Sequence, residues 1–145
     1  MEVDEKPFNR PLELVRGTDL PPFFDYLGFS VLAVSTEEVS VRMTVPAALY
    51  SPFGTVHGGA IAALIDTAIG IAVAAHLGPH DRNVTHELNL NYISFAKGPT
   101  VLCRARVLRL GRHVASVEAE ATTEEGALVA KALGTFGLLR RARDE

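Results

Sequence analysis

One segment constrains the fold more than any other. It runs from Ala60 to Leu77, is rich in Ala and Ile, and is entered through His57-Gly58-Gly59. As a helix of about eighteen residues it would be roughly 27 Å long. It is apolar nearly all round, so other structure must wrap it, and Gly78-Pro79 is placed to terminate it. A membrane span is a poor reading of this segment. Asp66, Thr67, Gly70 and His76 interrupt it, no basic cluster flanks it, and an ionised Asp near the centre of a span costs about 2.5–3.5 kcal/mol.

The remainder reads largely as strand. Pro21-Pro22 followed by Phe23 to Leu27 and closed by Gly28 has the proline-first, glycine-last form of a short helix. Val31 to Val34 make a first strand. Val39, Val41, Met43 and Val45 alternate with Ser40, Arg42 and Thr44 in a second, half-buried one, so the pair reads as a hairpin. Pro46 ends it, and a loop over 47–56 carries Ser51-Pro52-Phe53-Gly54. After the helix, strict alternation puts Val84, His86, Leu88, Leu90 and Tyr92 on one face and Thr85, Glu87, Asn89 and Asn91 on the other. Strands over 101–110 and 113–122 are joined at Leu110-Gly111-Arg112. Glu124-Glu125-Gly126 turns the chain into a last strand over 127–139. The expected fold is α+β: a hairpin, one long central helix, then an antiparallel meander, giving a strongly curved sheet of about six strands. One helix cannot cover both faces or the edges of such a sheet, so dimerisation is expected. The expected organisation is an N-terminal arm over 1–20, a domain over 21–139 and a charged tail over 140–145.

Composition narrows the functional classes. A chain of 145 residues with 48 % apolar and 21 % charged residues suits one domain with a sizeable core. A net charge of −3 does not point to nucleic acid or a membrane surface as partner. The acidic start Met-Glu-Val-Asp-Glu-Lys has no secretory apolar region. The single cysteine, Cys103, cannot form a disulfide within the chain and sits in a strand pattern as a small buried side chain. A reducing compartment, the cytoplasm, is expected.

Two features could carry chemistry. The first N–H groups of a helix lack internal partners and, with the helix dipole, favour negative charge. Gly58 and Gly59 leave those groups approachable, which fits an oxyanion site; tight packing alone would also explain them. Asp66 is the only charged side chain between His57 and Leu77. It is either a structural carboxylate or a solvent-reached general base or nucleophile. His57 and Asp66 are nine residues apart. Were both helical they would lie on opposite faces and roughly 13 Å apart along the axis, so they cannot form a dyad within one helix. A site using both ends of the helix would be shared between subunits. His76 and His80 have the spacing of a helical metal pair, but Gly78-Pro79 separates them, and no Cys/His set has zinc spacing. No metal and no cofactor are expected. A nucleophile elbow and a phosphate loop are both absent from the sequence.

Taken together, Gly54-Thr55-Val56-His57-Gly58-Gly59, then Leu64-Ile65-Asp66, then Asn89 to Gly98 resemble the phenylacetate-pathway type of hotdog acyl-CoA thioesterase over about residues 30–139. The resemblance implies the hotdog fold, a homodimer that pairs into a homotetramer, and an active site at the dimer interface. It implies hydrolysis of an acyl-CoA thioester. Gly58 N–H would polarise the thioester carbonyl, His57 would hold the loop, and Asp66 of the other subunit would act as general base or nucleophile. Thr85 would help position water. Ser51 and Gly59 would lie against the substrate. CoA would run along Tyr92, Ile93, Ser94, Phe95, Ala96 and Lys97, and along the turn Arg109, Leu110, Gly111, Arg112, His113 and Val114. Lys97, Arg109 and Arg112 would supply positive charge for its phosphates. Many members carry Asn where this chain has Ser51, whose hydroxyl has a shorter reach. A non-catalytic acyl-CoA sensor is the competing reading. Against it, the first twenty residues are too short and too acidic for a DNA-reading module. A purely structural dimer explains neither Gly58-Gly59 nor Asp66.

Overall fold

A computed structural model of the chain describes residues 22–141. The expected arm over 1–20 and the end of the tail, 142–145, lie outside the described residues. Helix α1 (Pro22–Leu27) leads through Gly28 into β1 (Phe29–Val34). Gly28 has φ +69°, and a Cβ there would fall 2.1 Å from the Thr44 carbonyl oxygen, so this turn requires glycine. Strand β2 (Val39–Thr44) pairs antiparallel with β1. Ser35 Oγ accepts the Glu37 and Glu38 N–H groups at 3.2 and 3.1 Å and so shapes the connecting turn. Val39, Val41 and Met43 are fully buried while Arg42 and Thr44 face solvent, the two-residue period read from the sequence.

Helix α2 spans Gly58–Ala74 with His57 as its N-cap. Its buried stripe is Ala60, Ile61, Leu64, Ile65, Ala68, Ile69, Ala72 and Val73. The opposite side, Ala62, Ala63, Asp66, Thr67, Gly70 and Ile71, is only partly buried. The helix therefore rests one face on the sheet and leaves the other half-open in a single chain. It ends earlier than Gly78-Pro79. After Ala74 the chain tightens, with His76 N–H donating to Val73 and Leu77 N–H to Ala74 at 3.0 and 3.1 Å. Such three-residue closures satisfy the last carbonyls of a helix before a break.

Strands β3 (Arg82–Tyr92), β4 (Thr100–Leu110), β5 (Val114–Thr123) and β6 (Leu128–Leu139) complete a six-stranded antiparallel sheet of order β1-β2-β4-β5-β6-β3. Helix α2 packs against all six strands, which makes this the curved sheet around one long helix expected for an α+β hotdog fold. The second half is not a simple meander. Strand β3 pairs with β6, and residues 93–99 carry the chain back to lay β4 beside β2. Ala96 is buried in that crossover and its carbonyl accepts Val56 N–H at 2.7 Å, while Pro99 accepts Val45 N–H at 2.8 Å. The crossover thus seals the start of α2.

Strict alternation along β3 also fails, for a local reason. A bulge lies between Thr85 and Glu87: Thr85 pairs with Phe136 and Glu87 with Thr135, leaving His86 as the extra residue. Thr85 therefore shares the helix-facing side with Leu88, Leu90 and Tyr92, opposite Phe136, Gly134, Ala132 and Ala130. His86 turns outward and its ring covers Gly137, where a Cβ would come within 2.3 Å of it. On the outer face Lys131 pairs with Glu120 at 3.2 Å, Arg106 with Glu118, and Arg104 approaches Glu38 at 3.9 Å. Strands β1 and β3 are the sheet edges, and β3 offers eleven residues of backbone on its open side.

Leu64 is fully buried at the centre of the α2–sheet contact. Leu64→Ala is expected to lower stability by about 2.7–5.0 kcal/mol in urea unfolding; a loss well below that range would mean that the helix is not packed as described. Cys103 is also fully buried, and its thiol is pushed up to about 12, first by burial and then by the Glu120 charge. At neutral pH a thiol reagent should leave the native protein unlabelled and titrate the single cysteine only after unfolding. Fast labelling of the native chain would contradict this burial.

Candidate active site

The start of α2 is fastened from two sides. His57 Nδ1 accepts Gly59 N–H at 2.9 Å, the side-chain cap of the helix. Tyr92 Oη donates to the Gly58 carbonyl at 2.6 Å, and its ring lies over Gly58, where a Cβ would meet it at 3.3 Å. Burial pushes the Tyr92 phenol up, so it remains a hydrogen-bond donor. Ala60 and Ile61 N–H both turn to the His57 carbonyl. Gly58 N–H has no acceptor among the described residues. One backbone donor at the positive end of a helix dipole is thus left for a ligand.

In front of it lies an open groove of about 390 Å³, walled by the loop before α2 and by the chain after β3. Ser51, Gly58, Tyr92, Ile93, Ser94, Phe95 and Ala96, all named from the sequence, line it. Phe53, Thr55, Val56 and Ile61 also line it and were not singled out in the sequence. Ile61 was legible in principle, one turn beyond Gly58, whereas Phe53 and Thr55 depend on the fold of the loop. Ser51 is occupied locally: its Oγ is 3.0 Å from Thr55 Oγ1 and accepts Phe53 N–H at 3.3 Å. Ser94 Oγ donates to the Leu128 carbonyl at 2.5 Å and ties the crossover to β6. Phe53 and Phe95 are 92 % and 81 % exposed, unusually high for aromatic side chains. Gly59 and Lys97 are exposed, and neither lines the groove.

Asp66 lies eight residues further along α2, roughly 12 Å from Gly58 along the axis. It is on the half-open face, and its Oδ1 accepts the Thr85 hydroxyl at 2.8 Å. Oδ2 has no partner among the described residues. The bulge in β3 is what turns Thr85 towards Asp66. Beside it Asn83 Nδ2 donates to the Gly70 carbonyl at 3.3 Å, a second tie between β3 and α2 that sequence reading missed.

The turn Arg109, Leu110, Gly111, Arg112, His113, Val114 lies at the Thr85 end of the sheet, since Val114 pairs with Gly137 and Gly137 with Val84. Gly111 is required there, because a Cβ would fall 2.7 Å from the Val114 carbonyl oxygen. Tyr92 is eight residues along β3 from Val84, roughly 26 Å at strand spacing. One chain therefore holds two separated clusters. His57, Gly58, Ser51 and the 92–97 segment form one; Asp66, Thr85 and the 109–114 turn form the other. Among the described residues no group of three or more His, Cys, Asp or Glu side chains could hold a metal ion. Nor is any helix among the described residues long and apolar enough to cross a membrane.

His57→Ala removes the α2 cap and should cost about 0.5–2 kcal/mol in thermal or urea unfolding. An unchanged midpoint would mean that the imidazole does not hold Gly59 N–H in solution.

Comparison with known proteins agrees with this fold. A protein of Saccharolobus solfataricus named provisionally as an esterase is 31 % identical, over 94 % of this chain and 95 % of its own. A 1,4-dihydroxy-2-naphthoyl-CoA hydrolase of Listeria monocytogenes is 22 % identical, over 81 % of this chain and 95 % of its own. A solved structure from Ralstonia eutropha, named provisionally as a thioesterase and phenylacetic acid degradation-related protein, superposes with a TM-score of 0.83 at 30 % identity. That match covers 89 % of this chain and 99 % of the other. Residues 53–130, which run from the loop before α2 into β6 and include both clusters except Ser51, match the Thioesterase superfamily, and the chain belongs to that family.

Proposed function

We propose that the protein hydrolyses an acyl-CoA thioester to the free acid and CoA, in a site completed by two copies of the chain. The observation that carries this reading is the Thr85–Asp66 hydrogen bond of 2.8 Å at the open edge of the sheet, with the unengaged Gly58 N–H two helical turns away. A tetrahedral intermediate needs both a base or nucleophile and an oxyanion donor within reach of one carbonyl carbon. One α2 cannot supply both to the same atom. If two β3 edges pair antiparallel across a twofold axis, the Thr85 end of each strand lies beside the Tyr92 end of the other. Asp66 of one subunit then faces Gly58 of its partner.

In that arrangement the Gly58 N–H receives the thioester oxygen and stabilises its charge as it forms, helped by the helix dipole. Thr85 fixes Oδ1 of Asp66 and leaves Oδ2 for the reaction. Asp66 either takes a proton from water or attacks the carbonyl carbon itself, and in both routes the negative charge develops on the same oxygen. Collapse of the intermediate breaks the C–S bond and releases CoA as its thiolate; in the route where Asp66 attacks, water then adds to the resulting acyl–Asp66 anhydride, releasing the free acid and restoring the carboxylate. The groove beside Gly58, with Val56, Ile61, Tyr92 and Phe95, receives the acyl group. The 92–97 segment of one subunit and the 109–114 turn of the other flank the CoA. A homodimer is the functional unit, and pairing of dimers into a homotetramer is part of the same proposal. The proposed setting is the cytoplasm, which suits the one free thiol of Cys103. The CoA-hydrolase name of the Listeria relative supports the substrate class.

The test is thiol release from a panel of acyl-CoA thioesters, from acetyl to palmitoyl with phenylacetyl and hydroxyphenylacetyl included. Asp66→Asn should fold normally and lose about 10²–10⁴-fold in turnover. Thr85→Val should lose about tenfold or more, the scale of one hydrogen bond to a charged group. Full activity in Asp66→Asn would remove the carboxylate from the mechanism. Binding without turnover across the panel would make the protein a non-catalytic acyl-CoA sensor.

A further inference from the structure

Two hydrogen bonds pin the start of β3 to α2. Asn83 Nδ2–H donates to the Gly70 carbonyl at 3.3 Å, and the Thr85 hydroxyl donates to Asp66 Oδ1 at 2.8 Å. Both side chains are on the helix-facing side of the strand, because Asn83 pairs with Leu138 and Thr85 with Phe136, which are buried. Their partners are one turn apart on the helix. Four residues of helix advance roughly 6 Å, and two residues of strand roughly 6.8 Å. The two rungs are therefore matched in spacing, with strand and helix running in opposite directions.

The Thr85–Asp66 bond has little support of its own. Thr85 is exposed and Asp66 half-buried, so water competes for both groups, and a hydrogen bond exchanged with water gains little by itself. The backbone under Thr85 is also weakly held. β3 is a sheet edge, so residues 82–85 have a neighbouring strand on one side only, and the bulge interrupts that ladder directly after Thr85. Within 82–84, Asn83 supplies the one side-chain hydrogen bond to α2 among the described residues.

The chemistry of this tie is specific. Asn83 is half-buried and faces inward, where an apolar residue would serve packing and an amide without a partner would be costly. Its partner is a helix carbonyl, which keeps a second lone pair after serving the helix. Gly70 leaves that carbonyl open to approach: a Cβ there would lie 3.7 Å from Asn83 Oδ1, so the amide rests over the glycine.

We propose that Asn83 is a positioning residue for the hydrolysis. By fastening the start of β3 to Gly70 it keeps the Thr85 hydroxyl on Oδ1 of Asp66, which leaves Oδ2 directed to the reaction. Asn83 touches no reacting atom and acts only through Thr85, so its effect on turnover is bounded by that of Thr85. The effect on catalysis rests on the hydrolase reading; the placement of Thr85 stands without it.

A double-mutant cycle on the full-length protein reads the catalytic part, at a temperature well below the unfolding midpoint of each variant. Asn83→Ser, too short to reach Gly70, should lower kcat by about three- to tenfold with KM little changed, the scale of one hydrogen bond. In a Thr85→Val background the same substitution should cost nothing further. Losses that multiply overturn the proposal, as does an unchanged kcat in Asn83→Ser. The second readout needs no substrate. Three-bond couplings in isotope-labelled threonine report the χ1 angle of Thr85, which should hold one staggered rotamer in the native protein and average between rotamers in Asn83→Ser. One rotamer kept in the variant, or averaging already in the native protein, overturns the proposal. Asn83→Leu replaces Asn83→Ser in both measurements if the serine variant does not fold. If no acyl-CoA is hydrolysed while Thr85 still loosens in the variant, the hydrolase reading fails and the role of Asn83 in placing Thr85 stands.

Discussion

Helix α2 lays Ala60, Ile61, Leu64, Ile65, Ala68, Ile69, Ala72 and Val73 on the inner face of one curved sheet, and the placement of every other element follows from that contact. Apolar burial is non-directional and scales with area, so the helix could slide or rotate on a smooth surface. Small residues opposite it prevent this. Ala105, Ala115, Ala119, Ala121, Ala130 and Ala132 make the floor of the sheet shallow and let the helix sit close. Interdigitation at crystal-like density then fixes the rotation of α2. With rotation fixed, Asp66 must emerge on the side facing β3, and Gly58 must arrive under the crossover that follows Tyr92.

Strand β3 converts that packing into a site. It is an edge strand, and three of its polar side chains tie it to α2: Asn83 to Gly70, Thr85 to Asp66, Tyr92 to Gly58. Without the bulge at His86 this set would split, because Thr85 and Tyr92 are an odd number of residues apart and would face opposite sides. One extra residue lets a single strand address a carboxylate in mid-helix and a carbonyl at the helix start. The outward swing of His86 onto Gly137 fills the gap that the extra residue creates.

The sequence carried much of this, but unevenly. The α2 run, the β1–β2 hairpin and the two long strands after Thr100 were legible because apolar periodicity records burial directly. The pairing of β3 with β6 was not. Periodicity says which face of a strand is buried, never which strand lies beside it, and the crossover over 93–99 has no regular pattern to announce it. The bulge was hidden for a related reason: Val84, His86 and Leu88 alternate well enough to pass for one face. At the site, Gly58 and Asp66 stood out as residues whose presence an apolar helix does not require. Phe53, Thr55 and Asn83 did not, since their roles arise only from a loop or strand brought to α2 from elsewhere.

The start of α2 shows how backbone chemistry and side chains act as one unit. Tyr92 donates to the Gly58 carbonyl, and the N–H of the same peptide, on Gly59, donates to His57 Nδ1. A peptide group polarised at its oxygen is a better donor at its nitrogen, so the two hydrogen bonds reinforce each other. An accepting Nδ1 also fixes the imidazole tautomer: in the neutral ring the proton must sit on Nε2. The glycines are needed because this peptide is approached from both sides at once, with the Tyr92 ring over Gly58 and the His57 ring against Gly59. A side chain at either position would push one ring away. The remaining donor, Gly58 N–H, belongs to the preceding peptide. Its direction is set by how firmly the His57 backbone is held, and Leu49 holds that backbone by accepting His57 N–H at 2.8 Å. The orientation of one unengaged N–H therefore depends on a strand, a loop and a helix cap together, which is why it is oriented before any ligand arrives.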